Sequence, residues 1–374
     1  MKRTIWRSAV VSTALIAALA ISACGSSGDS GTASTSATAP TTLKKGDGEI
    51  TVITWETYHD DPWVKQAEKD LGLKINITRV GSVDEMYAKA RAGGTDADLY
   101  LVDSGSIKRY KDAGLIAPID RQAITRAGNI NLALDYAKTN VIDGELWAVP
   151  YNWGIQPMVF NKAAVPAAAR TTWKTLWDPK YKGQVMIPDD AYITLPMVAL
   201  AAGVPPFSWS AADYQTIKSQ LDKLRPQVKT LTKSFNDQET TMVSGDAKVG
   251  YGQTYAFVSK DPKLGLSFPK EGTPFWLDNY FFSPKGAQDQ DVYNFVNYTL
   301  TEEWQCRFAN QTLQNGILPA TLAKKCFSAK AWAGEGGNLV SKLTPELRKS
   351  FVLLQAPADI DKRLELWNAF KAGT

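Results

Sequence analysis

Along the first part of the folded region, segments with the hydrophobic pattern of strands alternate with segments that have the pattern of helices. Short runs rich in β-branched and aromatic residues have the length and composition of strands, at residues 49–55, 74–81 and 97–104. Between them, residues 61–72 start at an Asp and end at a Gly. Residues 82–93 start at Ser82, which Glu85 follows three positions later, a capping-box pattern. The order strand, helix, strand, helix, strand predicts a mostly parallel sheet with helices on its faces.

The remainder of the chain also reads as α/β, with more Pro and Gly interruptions. Residues 144–162 are strand-like, and residues 171–192 combine a short helix, a turn and a strand that runs into Pro-Asp-Asp. Residues 208–227 have the period of a helix, and residues 245–262 that of a strand followed by a loop. From residue 343 to the end the pattern is helical. About 330 residues follow the N-terminal segment, which is enough for two α/β lobes.

The N-terminus has the organisation of an export signal. Positive charges come first, an apolar run of signal-peptide length follows, and the run ends in Ile-Ser-Ala-Cys. This ending resembles the bacterial lipobox, in which the Cys is lipidated and becomes the new N-terminus. We therefore expect a lipoprotein signal peptide over residues 1–23, and a lipidated Cys24 with a flexible tether rich in Gly, Ser and Thr over residues 24–47. The alternative is an ordinary signal peptide with a chance Cys.

The charge and the cysteine and histidine content argue against nucleic-acid binding and against a metal site. The formal net charge is +4, and three positive charges lie in the expected signal, so the mature chain is close to neutral. Because no long Lys/Arg run remains, a nucleic-acid partner is not expected. With a single His, His59, and no Cys-x-x-Cys, a Cys/His metal site is not expected, nor is a cofactor. In an exported protein Cys306 and Cys326 are expected to form a disulfide; two free buried thiols are the alternative.

Candidate ligand-binding residues collect in connectors that Pro and Gly interrupt and at predicted strand ends, where open α/β sheets bind their ligands. They are aromatic or acidic, and none is Lys, Arg or His: Trp55, Glu56, Tyr58, Asp103, Tyr151, Trp153, Asp190, Tyr255, Trp276, Asp278 and Tyr280. Aromatic faces attract ammonium groups by about 0.5–2 kcal/mol each, and carboxylates provide charge-assisted hydrogen bonds. The set therefore favours a cationic, partly aliphatic ligand.

Several of these residues also have a structural interpretation. Trp55 could belong to the core, and either Asp of the pair Asp189–Asp190 could cap the following helix. Trp276 and Asp278 are harder to explain structurally, because strand alternation places them on one face. Tyr280 could belong to that face or pack beneath it.

Five stretches resemble, in order and spacing, the spermidine/putrescine-binding proteins of bacterial ABC importers. They are ITVITWETY, MYAKARAGGTDADLYLV, AVPYNWGIQPMVFNK, TWKTLWDPKYKGQVMIPDDA and FPKEGTPFWLDNYFFSPKGA. The likeness covers residues 49–320 and fades in the C-terminal helices.

The resemblance implies a two-lobed periplasmic-binding-protein fold of type II, with a hinge and crossovers between the lobes. Lobe 1 would comprise residues 48–152 and 273–322, and lobe 2 residues 153–272. The C-terminal helices, residues 323–374, would belong mainly to lobe 2. The ligand would lie in the cleft between the lobes, and the cleft would close on it.

Matched by position, the resemblance gives individual residues a role. Trp55 and Tyr58 correspond to an aromatic pair after the first strand, and Trp276 to an aromatic wall. Asp190 corresponds to an acid of the second lobe, and Asp278 to the acid that anchors an ammonium group.

The sequence also departs from the family pattern. Ile193 and Ile317 stand where a Glu and a Tyr are common, and Asp103 and Glu56 stand where small hydroxyl residues are common. Tyr251 and Tyr255 both fit one further aromatic position. The pocket stays acidic, but the amine spacing that it accepts is expected to differ.

These observations predict a solute-binding lipoprotein, not an enzyme, that captures a polyamine and delivers it to the permease of an ABC importer. It would be a monomer, held at the outer face of the cell membrane or in the periplasm. The alternatives are a protein of the same fold that binds thiamine, a quaternary amine or a metal chelate and, more remotely, a surface glycoside hydrolase that uses paired carboxylates.

Overall fold

The computed structural model describes residues 38–40, 42–56, 58–81, 83–92, 96–252, 256–334 and 339–373. The signal peptide, Cys24, the capping residue Ser82 and Tyr255 lie outside the described residues.

The described chain is a mixed α/β structure. Its strands are β1 Glu49–Trp55, β2 Lys74–Val80, β3 Leu99–Asp103, β4 Val141–Ile142, β5 Glu145–Leu146, β6 Val149–Ile155, β7 Met158–Asn161, β8 Val185–Pro188, β9 Val228–Thr232, β10 Val249–Tyr251, β11 Leu264–Ser267, β12 Thr273–Phe282, β13 Asn315–Gly316 and β14 Phe351–Leu353. Its helices are α1 Asp61–Leu71, α2 Val83–Ala92, α3 Ile107–Asp112, α4 Ala137–Asn140, α5 Ala191–Ala202, α6 Ala211–Leu224, α7 Phe235–Ser244, α8 Gln290–Thr299, α9 Glu302–Thr312, α10 Ala320–Ala323, α11 Ala329–Ala333, α12 Pro345–Lys349 and α13 Ile360–Ala372.

The first helix shows why the local sequence predicts the elements well. Asp60 caps α1 at its N-terminus, and the helix ends where Gly72 adopts a left-handed conformation with φ of 69°. A residue with a side chain is strained in that conformation, so the helix stops there and β2 follows. The predicted order of β1, α1, β2, α2 and β3 is confirmed.

The strands form two main sheets. The larger sheet has the order β13-β6-β12-β3-β1-β2, with β14 also paired to β12, and the smaller sheet has the order β11-β7-β10-β8-β9. β1 is parallel to β2 and β3, as predicted, whereas β12 is antiparallel to β3 and β6. The chain leaves the larger sheet after β6 and returns to it with β12. Two segments therefore connect the sheets at this point.

Both faces of the larger sheet are buried. Ile53 and Val102 point into one core, and Val52 and Leu101 into the other, in the alternation that a strand requires. Because both faces are covered, β3 is buried at every position. The smaller sheet has a core of its own. None of the described helices combines the length and the apolar composition that crossing a membrane requires.

The C-terminal region differs from the prediction in two respects. Residues 351–353, expected to be helical, form strand β14 beside β12, and Phe351 stacks on Phe275 with ring centroids 5.9 Å apart. Three consecutive apolar residues fit a buried strand as well as a helix, so the period alone does not distinguish them. Residues 323–374, assigned mainly to the second lobe, are divided between the sheets. Leu339, Val340 and β14 pack with the larger sheet, and α13 packs on α5 and α6.

A disulfide joins Cys306 in α9 to Cys326, with Cα atoms 4.9 Å apart and 20 positions of separation in the sequence. It fixes α9 to the turn after α10. A covalent loop of this size stabilises a fold by about 3 kcal/mol.

Candidate functional site

Two carboxylates lie side by side at the centre of the larger sheet. In the antiparallel pair of β12 and β3, Asp278 is directly opposite Asp103. Opposite residues in such a pair have Cβ atoms about 4.5–5.5 Å apart and share one face of the sheet. Asp278 and Asp103 are each only 6 % exposed. The fold therefore buries two acidic groups next to each other.

Hydroxyl and amide groups of the protein donate hydrogen bonds to these carboxylates. The Tyr58 hydroxyl donates to Oδ2 of Asp278 at 2.8 Å. Asp103 ends β3 and caps the short turn that follows, accepting from the Gly105 amide at 2.9 Å and from the Ser106 hydroxyl at 2.9 Å. Among the described residues, no Lys, Arg or His side chain pairs with either carboxylate. The donors that the described residues provide to the pair are therefore all neutral.

The acidity of both groups reflects this environment. Burial first, and the neighbouring charge of Asp103 second, raise the pKa of Asp278 to about 8, against the lowering effect of the Tyr58 hydrogen bond. Burial also raises the pKa of Asp103, and its hydrogen bonds oppose the rise. Two buried carboxylates without a cation cannot both ionise at little cost. The site therefore holds a proton at neutral pH or requires a positive charge from outside the chain.

The indole side chain of Trp276 lies two positions before Asp278 on the same strand. Trp276 is half-buried and lies opposite Gly154 of β6. A Cβ atom at position 154 would lie 2.2 Å from the Cζ2 atom of the Trp276 ring. Only a glycine leaves room there, so Gly154 allows the indole to lie across the neighbouring strand.

The layer beneath the carboxylates is aromatic and neutral. Tyr280 is fully buried, and its hydroxyl lies 2.7 Å from Nε2 of His59, whose Nδ1 is 2.9 Å from the Thr54 hydroxyl. Burial lowers the pKa of His59 to about 3, so the imidazole is neutral. Tyr151 donates to the Tyr58 carbonyl oxygen at 3.0 Å and so holds the segment that carries Tyr58. Tyr280 packs beneath the site.

The helix after β8 brings groups from the smaller sheet. Asp190 caps α5, accepting from the Ile193 amide at 3.2 Å. In the first turn of the same helix, the Tyr192 hydroxyl donates to Oδ1 of Asp103 at 2.8 Å. Burial first, and then the charges of Asp103, Asp190 and Asp278, raise the pKa of Tyr192. The Tyr192 hydroxyl thus contacts Asp103 where α5 meets the larger sheet, and the charges of Asp190 and Asp278 act on the same group.

The sequence matches a known protein family over most of its length. Residues 62–332 match the family described as bacterial extracellular solute-binding protein. This chain belongs to that family.

Similar proteins of known name support the same fold. The chain is 25% identical over 252 residues to the spermidine/putrescine-binding periplasmic protein of Escherichia coli K12, covering 66% of this chain and 71% of that protein. The spermidine/putrescine ABC transporter substrate-binding protein PotD from Streptococcus pneumoniae has a TM-score of 0.73 at 22% identity, over 87% of this chain and 98% of that one. The TpPotD lipoprotein of Treponema pallidum gives 0.68 at 18% identity, over 87% and 98%. The predicted two-lobed type II fold is confirmed.

This solute-binding protein brings some of the predicted residues together and leaves others apart. Tyr58, Asp103 and Asp278 are near neighbours. Asp278 lies opposite Asp103 in the strand pair and accepts a hydrogen bond from the Tyr58 hydroxyl. Trp55 is half-buried at the end of β1, between the two cores of the larger sheet, and Glu56 is exposed. Neither makes a hydrogen bond to the carboxylate pair within the described ranges.

Two further positions of the solute-binding protein are now assigned by their contacts. Asp189 does not cap α5; it accepts from the Trp367 indole at 3.0 Å and pairs with Lys371 at 3.1 Å, which fixes α13. Tyr251 is fully buried, with its hydroxyl 3.0 Å from the Ile193 carbonyl oxygen.

Sequence reasoning missed Tyr192 in this solute-binding protein. The available signal was its position, two residues after the predicted Asp190 in the first turn of a helix. Its contact with Asp103 depends on how α5 lies against the larger sheet, which the local sequence does not indicate.

Proposed function

We propose that this protein captures a polyamine of the putrescine or spermidine class between its two lobes and delivers it to the permease of an ABC importer. The observation that carries the proposal is the buried pair of Asp103 and Asp278, which has no basic partner in the described part of the chain. A ligand ammonium group would provide the missing charge. The name of the Escherichia coli relative, a spermidine/putrescine-binding protein, supports the same ligand class.

In this proposal each group has a defined role. Asp278 accepts hydrogen bonds from one ammonium group, and Tyr58 holds its carboxylate in place. Trp276 flanks the methylene chain, because an aromatic face attracts both alkyl groups and the adjacent cation. Asp190 provides negative charge from the second lobe. Trp55, Glu56 and Tyr255 complete the binding set that we propose.

The chemistry of the pair favours an amine that carries N–H groups. Carboxylates in a buried site bind strongly when they accept charge-assisted hydrogen bonds, which a primary ammonium group can donate. A quaternary amine has no N–H and would leave the acceptors of Asp278 unused. The carboxylates thus favour polyamines over the quaternary-amine alternative.

We also propose that the protein acts as a monomer and is held at the membrane through Cys24. Binding and transport are what the relatives' names describe, which supports a role without covalent chemistry.

A panel of ligands tests the function. Purified protein would be unfolded thermally with putrescine, spermidine, thiamine or choline, each at a saturating concentration. A ligand at 100 times its dissociation constant stabilises the folded state by about 2.7 kcal/mol. We expect stabilisation by putrescine or spermidine and none by choline. Stabilisation by choline or thiamine alone would replace the proposal with the corresponding alternative.

A further inference from the structure

Tyr192 holds a carboxylate that belongs to the other lobe. It lies on α5, which packs with the smaller sheet, and its hydroxyl donates to Asp103 at the end of a strand in the larger sheet. The phenol is a neutral donor placed where a basic side chain or a ligand cation would otherwise be expected.

The two carboxylates of the pair differ in how many donors they have. Oδ1 of Asp103 accepts from Gly105 and Tyr192, and Oδ2 accepts from Ser106. Asp278 accepts from Tyr58 alone among the described residues. A carboxylate offers about four hydrogen-bond acceptor positions. Most of these positions are filled in Asp103, whereas most remain open in Asp278.

The spacing of the pair corresponds to a particular ligand end. Opposite residues in antiparallel strands have Cβ atoms about 4.5–5.5 Å apart. Two ammonium nitrogens joined by three methylene groups are about 5 Å apart when extended, from ordinary C–N and C–C bond lengths. If both carboxylates were available, they could therefore hold the aminopropyl end of a triamine such as spermidine, one ammonium group on each.

We propose that Tyr192 is a specificity-determining residue that makes this end of the site accept one ammonium group and not two. Its hydroxyl occupies a hydrogen-bond acceptor position of Asp103. Asp278 is then the carboxylate that receives a ligand cation. The site therefore disfavours ligands with two ammonium groups three methylenes apart, relative to ligands whose charges are more widely separated. This inference rests on the proposed function, since it concerns which amines the same site accepts.

The substitution Tyr192→Phe tests the inference, because it removes the hydroxyl and keeps the ring. Calorimetric dissociation constants for putrescine and spermidine would be measured for the wild type, Tyr192→Phe, Asp103→Asn and the double variant. We expect the preference for spermidine over putrescine to rise about tenfold in Tyr192→Phe, as one more charge-assisted contact becomes available. In Asp103→Asn the affinity for both amines should fall together, because a negative charge beside Asp278 is lost, whereas the preference should stay within about twofold of the wild type, because Tyr192 keeps Asp103 from contacting either amine.

The double variant gives the decisive comparison. Without the carboxylate at position 103, the gain of Tyr192→Phe should disappear. An unchanged preference in Tyr192→Phe, or a gain that persists in the double variant, would overturn the inference while the wild type still binds amines. If the wild type binds neither amine, the proposed function fails and this inference fails with it. Thermal unfolding of each variant checks the fold, and Tyr192→Leu provides a second variant without the hydroxyl should Tyr192→Phe be unstable.

Discussion

Asp278 on β12 lies directly opposite Asp103 on β3, and both are buried without a basic partner in the described chain. This pairing joins two segments about 175 positions apart in the sequence. This pair separates the site from an ordinary core, because buried acidic groups in a core are usually paired with a basic side chain.

The affinity for an amine should depend on pH. The pKa of Asp278 is about 8 without ligand, so below that pH the group is mainly protonated, and an ammonium ion must displace the proton. We therefore expect affinity to rise as the pH increases from 6 to 8, by up to about tenfold per unit, and then to level off. Calorimetry across this range measures the dependence, and titration in two buffers of different ionisation enthalpy measures the proton released.

The pH dependence could also come from titratable groups around Asp278, so Asp278→Asn is the control for that experiment. Asp103 lies beside it, Tyr58 donates to it, and Tyr192 reaches the pair from α5. The tyrosines have pKa values raised above 10, so they do not titrate in this range. In Asp278→Asn the rise in affinity should be lost. A pH dependence that survives in this variant would assign it to another group.

The stability of the unliganded protein should fall as the pH rises. The carboxyl of Asp278 keeps its proton in the folded state up to about pH 8, whereas in the unfolded chain it loses the proton near 4. Because the folded state then binds more protons, stability decreases between these two pH values. We expect Asp278→Asn to be more stable than the wild type at pH 8, on the order of 2 kcal/mol. Denaturant unfolding at pH 4.5 and pH 8 measures the difference, and a variant no more stable at pH 8 would contradict it.

Gly154 should matter for binding through Trp276. Gly154→Ala places a methyl group where the indole ring lies and must move that ring. We expect amine affinity to fall by about 1–3 kcal/mol, as in Trp276→Ala, and the two effects not to add in the double variant. Gly128→Ala is the matched control, since a Cβ atom there meets nothing within 4 Å. Additive losses would show that Gly154 acts independently of Trp276.

The disulfide should stabilise the fold without affecting the ligand. Replacing both Cys306 and Cys326 by Ser removes a covalent link whose two residues make no hydrogen bond to Asp103 or Asp278 in the described part of the chain, although Phe308 of the same helix packs edge-on against Tyr58. We expect the free energy of unfolding to fall by about 3 kcal/mol, with unchanged dissociation constants for amines. Chemical unfolding and calorimetry measure the two quantities. A large loss of affinity in folded protein would show that the disulfide also positions Tyr58 through Phe308.

The sequence allows the parallel strands β1 to β3, and a shared face for Trp276 and Asp278, to be predicted, because strand periods are local properties. It did not allow the pairing of Asp278 with Asp103, since register between β3 and β12 is set by long-range packing. Tyr192 was missed for the same reason: its partner lies in the other lobe. The apolar run of β14 fits the period of a strand and that of a helix, so the sequence does not distinguish the two there.

In the proposed complex, Asp278 receives the ligand cation. Calorimetric titration with putrescine at pH 8 would compare the wild type, Asp278→Asn and Asp112→Asn; Asp112 is an exposed residue of the same lobe that pairs with Lys108. We predict micromolar binding by the wild type and by Asp112→Asn, and affinity at least about 100-fold weaker in folded Asp278→Asn. Equal affinity in all three proteins would show that Asp278 does not receive the cation.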